Sequence, residues 1–133
     1  MVLDVSNPAK PVRLGGFNTS GTAYEVEVAG NIAYVADGSA GLQVIDVSDP
    51  AKPVRLGGLG TGGQAQDVRV VGNLAYVANG PAGLQVIDVS NPAKPVRVGG
   101  LAIGSSATAS KVEVVGNTAY LAAGSDGDRK SVV

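Results

Sequence analysis

The chain has no cysteine, no histidine and no tryptophan, and only one methionine and one phenylalanine among its 133 residues. Without cysteine there can be no disulfide and no thiolate metal ligand, which leaves both the cytoplasm and a bacterial exterior open as settings. Without histidine no serine has an imidazole base, so triad chemistry is excluded. Neither sign of charge dominates: 10 basic and 11 acidic residues give a net charge of −1. Binding to a polyanion would gain little from counterion release, and nucleic acid is not an expected partner. No apolar run approaches the ~18 residues of a membrane span, and no charged-then-apolar leader follows Met1. Neither a membrane span nor a signal peptide is therefore expected in this stretch.

What the chain does have is repetition. GLQVIDVSDPAKPVRLGG begins at Gly41 and GLQVIDVSNPAKPVRVGG at Gly83, and VLDVSNPAKPVRLGG begins at Val2. Asp4, Asp46 and Asp88 thus form one column at a spacing of 42 residues, and the dipeptides Gly30-Asn31, Gly72-Asn73 and Gly116-Asn117 form another. A period of this size points to stacked units that bury their apolar faces on one another, none of which folds alone. The 20 glycines are about double the usual share of ~7% and fall at repeated turn positions, so they punctuate an ordered protein.

Within one unit, residues 23–29 alternate as a strand does, and Gly30-Asn31 is a two-residue hairpin loop. Residues 32–37 then form a second strand. Residues 42–47 form a third, whose continuous apolar character predicts burial on both faces. Two prolines in SDPAKP stiffen the next turn, and a fourth, outer strand covers residues 54–59. A helical solenoid would need a 3.6-residue period, which is absent. The fold class is all-β. Four-stranded meanders of this length match β-propeller blades, with a β-solenoid or sandwich as the alternatives.

The phrases LQVIDVSDPAKP and LQVIDVSNPAKP, with AYVADG and AYVANG, resemble the LVIVD repeat of bacterial and archaeal proteins over about residues 2–127. The resemblance implies a β-propeller, found mostly in secreted or surface-attached proteins, with no enzymatic activity tied to the repeat itself. On this reading residues 1–17 supply the third and fourth strands of one blade, 18–59 and 60–101 are full blades, and 102–127 supply two further first and second strands. This is a propeller fragment of about three blades' worth, whereas propellers close with about four to eight. Its open faces are expected to favour association, including a homodimer in which the complementary halves complete each other. Residues 128–133, DRKSVV, depart from the repeat and coincide with one reading frame of a common sequencing adapter (GAT CGG AAG AGC GTC GTG), so they are expected to be a non-native tail.

Most polar residues recur by column, which argues for structural work. Asp4, Asp46 and Asp88 are expected to accept backbone hydrogen bonds in the following turn, with a ligand or metal role as the alternative. Asn31, Asn73 and Asn117 suit tight hairpins, and Tyr34, Tyr76 and Tyr120 suit packing between blades. Lys10, Arg13, Lys52, Arg55, Lys94 and Arg97 lie beside the outer strand, where charge discourages edge pairing. Phosphate-loop, dinucleotide and EF-hand patterns are absent. No catalytic, cofactor-binding or metal residues are assigned, and no cofactor is expected.

The segments that vary are the connections from one outer strand to the next first strand, where polar groups would gather around a shared opening. A ligand or partner face is expected there from Asn18, Thr19, Glu25, Gln64, Gln66, Asp67, Ser105, Ser106 and Lys111, with flexible linkers as the alternative. A further column, Glu27, Arg69 and Glu113, is set to form ion pairs between neighbouring units. The expected function is a non-enzymatic binding or scaffold module of an extracellular or cell-surface protein, recognising a protein or carbohydrate. Two alternatives stand beside it: a structural spacer, and part of a carbohydrate-active or metal-dependent propeller enzyme whose catalytic residues lie in blades outside this chain.

Overall fold

The computed structural model describes residues 1–104, 106–124 and 130–132. It is all-β, and no helix occurs among the described residues. Strands β1 (Val2–Asp4) and β2 (Val12–Gly15) form a two-stranded sheet. Strands β3 (Glu25–Ala29), β4 (Ile32–Ala36), β5 (Leu42–Asp46) and β6 (Val54–Leu59) form a four-stranded antiparallel meander. The pattern returns in β7 (Asp67–Val71), β8 (Leu74–Ala78), β9 (Leu84–Asp88) and β10 (Val96–Leu101). A third sheet holds β11 (Thr108–Val115), β12 (Thr118–Gly124) and β13 (Lys130–Val132). These are successive propeller blades. The backbone of β13 pairs with β12 at Ala122, Ala123 and Gly124, so the expected break in the repeat at Asp128 does not end the sheet pairing.

The hairpins close as their dipeptides require: Gly30, Gly72 and Gly116 sit at φ of +61°, +60° and +58°, a region that costs glycine nothing. After each third strand the aspartate caps the turn. Asp4, Asp46 and Asp88 each accept a hydrogen bond at 2.8 Å from the backbone N–H of Ser6, Ser48 and Ser90 respectively. The serine backbone and hydroxyl hold all three carboxyls below the ordinary range, the backbone bond leading at Asp4 and the hydroxyl at Asp46 and Asp88.

The core lies between the sheets. Tyr34, Ala36, Leu42 and Val44 from one unit pack on Val68, Ala75, Val77 and Ile87 of the next. A second cluster joins Ala78 and Leu84 to Ala109, Val112 and Leu121. The two third strands differ: Leu42 to Ile45 are all buried, whereas Leu84 and Val86 are only half-buried beside Gln85 and Ile87. Backbone clasps reinforce each junction, since Gly38 and Ala65 exchange two hydrogen bonds of 3.0 and 2.9 Å, and Gly80 and Ala109 do the same.

The outer strands carry a further joint. A β-bulge in each third–fourth strand pair sets Gly15, Gly57 and Gly99 opposite Val2, Val44 and Val86. A Cβ at Gly57 would lie 2.5 Å from the Pro92 carbonyl and 2.8 Å from that of Ala93, and one at Gly15 would strike the Pro50 and Ala51 carbonyls. The Pro50-Ala51 and Pro92-Ala93 turns therefore rest on the bare backbone of the preceding unit's outer strand. Gly99 has nothing within 4 Å at this position.

Candidate functional site

The first strands β3, β7 and β11 lie side by side and carry charges in two rows. In the row of Glu27, Arg69 and Glu113 the guanidinium reaches both neighbours, Nη1 at 3.8 Å from Glu27 Oε2 and Nε at 3.7 Å from Glu113 Oε2. In the row of Glu25, Asp67 and Lys111, the Lys111 ammonium donates to Glu25 Oε2 at 3.1 Å, although the two residues belong to units separated by a whole blade. This contact holds the Glu25 carboxyl below its ordinary range, against the opposing effect of burial, and Arg69 adds to it.

Asp67 between them is fully buried. Its Oδ2 accepts from the Val112 N–H at 2.9 Å, while Oδ1 accepts from the Val68 N–H at 3.0 Å and lies 3.4 Å from Arg69 Nη1. A buried carboxylate needs such partners, and here they tie the second unit to the third. Asp67, Arg69, Lys111, Glu113 and Tyr120 line a shallow cleft of about 260 Å³. Both signs of charge meet there with hydrogen-bond donors and acceptors. That arrangement can orient a polar ligand or partner.

The connections expected to share this face are placed differently. Thr19 Oγ1 donates to Asp37 Oδ1 at 2.6 Å, and the Gly21 N–H donates to Asp37 Oδ2 at 3.0 Å. One unit on, Thr61 Oγ1 donates to Asn79 Oδ1 at 2.7 Å, and Asn79 Nδ2 donates to the Thr61 carbonyl at 2.8 Å. These latches fasten the incoming connection to the end of the second strand. Sequence reasoning passed over Asp37 and Asn79, although a polar residue closing the repeated AYVAD and AYVAN was a usable signal; Ala123 stands there in the third copy. The backbone N–H of Gln66 donates to Ala78, and the side chains of Asn18, Gln64 and Ser106 are exposed on their connections. Structure thus joins Lys111 to Glu25 directly and Asp67 to Arg69, while no described contact joins Asn18, Gln64 or Ser106 to them. Ser105 lies outside the described residues.

At the rim, Arg55 Nε donates to Gln43 Oε1 at 2.7 Å and Arg97 Nε to Gln85 Oε1. Two members of the basic column are thereby anchored to third strands through their guanidinium groups.

The family model of the LVIVD repeat matches three segments, residues 1–19, 20–60 and 62–102. The chain belongs to the LVIVD repeat family. Each matched full segment spans one four-stranded meander, and the LVIVD motif itself falls on β5 and β9, the third strands at the centre of the packing. The matched region ends before β11, so Lys111 and Glu113 reach the site from outside it. No curated protein matches the chain.

Proposed function

We propose that the chain is a non-enzymatic recognition module of a secreted or cell-surface β-propeller protein, taking a protein or carbohydrate partner on the face formed by β3, β7 and β11. One observation carries this reading: the Lys111–Glu25 contact, which joins charges of two units across the one between them, beside the Arg69 guanidinium that reaches Glu27 and Glu113. A ligand there would touch three blades at once, and loop or strand-end variation between blades would set its specificity. The recurrence of the other acids and bases by column supports a module without catalytic machinery of its own. Exposed ion pairs of this kind contribute only about 0–1 kcal/mol each to folding. They are therefore available for recognition.

The test compares two variants of equal charge change, Lys111→Ala with Arg69→Ala and Lys52→Ala with Lys94→Ala, on arrays of polysaccharides and of secreted proteins. The face variant is expected to lose about tenfold or more in affinity, close to 1.4 kcal/mol, while the rim variant is unchanged. Equal losses in both, or binding indifferent to Lys111 and Arg69, would reject the placement.

A further inference from the structure

Of the seven asparagines in the chain, six are exposed and one, Asn79, is fully buried. Asn79 is also the only one followed by glycine. The coincidence matters chemically. A peptide nitrogen can attack the side-chain carboxamide of the asparagine before it, and glycine, with no Cβ, hinders that attack least. Asn18, Asn31, Asn73 and Asn117 precede Thr19, Ile32, Leu74 and Thr118, whose side chains crowd the attacking nitrogen, while Asn7 and Asn91 precede prolines, which have no N–H. The exposed asparagines are thus the slow ones, and the fast one is inside.

Three sets of hydrogen bonds hold it there. The carboxamide is fixed at both ends, accepting at Oδ1 from Thr61 Oγ1 at 2.7 Å and donating from Nδ2 to the Thr61 carbonyl at 2.8 Å. The Asn79 N–H donates to the Gly83 carbonyl at 2.8 Å, and the Ala82 N–H donates to the Asn79 carbonyl at 3.1 Å. The attacking group itself, the Gly80 N–H, donates to the Ala109 carbonyl of β11 at 3.0 Å. That bond keeps the proton on the nitrogen, whereas attack requires its loss.

The first copy already carries what such a reaction would yield, since Asp37-Gly38 stands where Asn79-Gly80 does. Asp37 accepts from Thr19 Oγ1 and, through Oδ2, from the Gly21 N–H at 3.0 Å. Gly63 is the counterpart of Gly21, and a Cβ there would lie 2.9 Å from Asn79 Nδ2. An oxygen in place of that nitrogen presents an acceptor to the Gly63 N–H, as in the first copy.

We infer that Asn79-Gly80 is a deamidation site gated by the junction between β8 and β11. When the junction opens, the Gly80 nitrogen bonds to Asn79 Cγ, ammonia leaves with the proton of that nitrogen, and water then opens the cyclic imide. Water that breaks the new Cγ–N bond leaves an aspartate suited to the latch. Water that breaks the original peptide bond leaves a backbone routed through Cγ and one carbon longer, which cannot keep the bonds to Gly83, Ala82 and Ala109 in register. By that branch a transient opening becomes permanent.

Peptide mass spectrometry on the full chain in mildly alkaline buffer, folded and in urea, tests this. In urea Asn79 is expected to convert ahead of the other asparagines, and in the folded chain to convert roughly tenfold more slowly or less, because only the opened fraction reacts. Thr61→Val should speed conversion in the folded chain and Thr61→Ser should not; subdenaturing urea should speed it in the unaltered chain, which keeps the test intact if Thr61→Val does not fold. Asn79→Asp should unfold near the urea midpoint of the unaltered chain and above that of Asn79→Ala. Equal rates in folded and unfolded chain, a folded rate indifferent to subdenaturing urea, or Asn79→Asp no more stable than Asn79→Ala would overturn the inference.

Discussion

Tyr34 and Tyr120 occupy the same place in the same strand of two units, and so do Val68 and Val26, yet one of each pair is buried and the other lies open. Nothing in their own hairpins accounts for this. The difference comes from what stands next to them: the face of β4–β5 meets a full sheet, whereas that of β11–β12 meets none among the described residues. In a stacked-unit protein, burial is a property of the junction, and stability follows as a sum over junctions. The same contrast separates Gly57, pressed against Pro92 and Ala93, from Gly99.

The comparison is broken most sharply by truncating the two tyrosines. Tyr34→Ala should cost about 3–5 kcal/mol, in line with removal of a buried aromatic ring, whereas Tyr120→Ala in dilute chain should cost less than about 1 kcal/mol. Thermal or urea unfolding measures both, and similar losses would mean that Tyr120 is covered within one chain. Burial also raises the pKa of the Tyr34 hydroxyl above its ordinary range, so a spectroscopic titration should find that hydroxyl reluctant to ionise.

A smaller effect tests the latches. Asn79→Ala should cost about 1–3 kcal/mol, because it leaves the Thr61 hydroxyl and carbonyl without their partner, and Thr61→Val should remove little more in the Asn79→Ala background. Full additivity in that double-mutant cycle would show that the two residues do not act together. The third copy, with Ala123 at this position, has no such side chain to lose.

The smallest effect is a pH dependence. Asp4, Asp46, Asp88 and Glu25 have carboxyls held below their ordinary values in the folded chain. Each therefore contributes stability that is present above the unfolded value, about 4, and is lost as pH falls through the lower folded value. Asp46→Asn with Asp88→Asn should flatten the fall in melting temperature below about pH 4. An unchanged acid limb would mean that the turn hydrogen bonds persist in the unfolded chain.

Much of the fold was legible because hairpin dipeptides, Pro-rich turns and period-two alternation are local signals. The second, third and fourth strands of the first full unit fall within a residue of their expected bounds, and the first begins two residues later, at Glu25. The Glu27–Arg69–Glu113 row was legible too, since neighbouring units repeat in register. The Lys111–Glu25 contact was not, because it skips a unit and depends on how sharply the sheets turn around one another. Nor was the fate of Thr19, whose hydroxyl is engaged by Asp37, since a polar connection reads the same whether it faces a ligand or its own blade. The unequal burial of three identical tyrosine positions lies beyond any local pattern.

The glycine joint has a consequence for how such a chain can grow. Of the three copies NPAKPVRLGG, DPAKPVRLGG and NPAKPVRVGG, the middle one carries both a turn seated on the copy before it and a bare glycine that receives the copy after it, tongue and groove in one phrase. A duplication that inserts a whole unit brings both halves with it. The chain can therefore lengthen or shorten by entire blades without any new surface having to evolve, and the pressure to keep both halves intact is reason enough for the phrase to stay nearly unchanged.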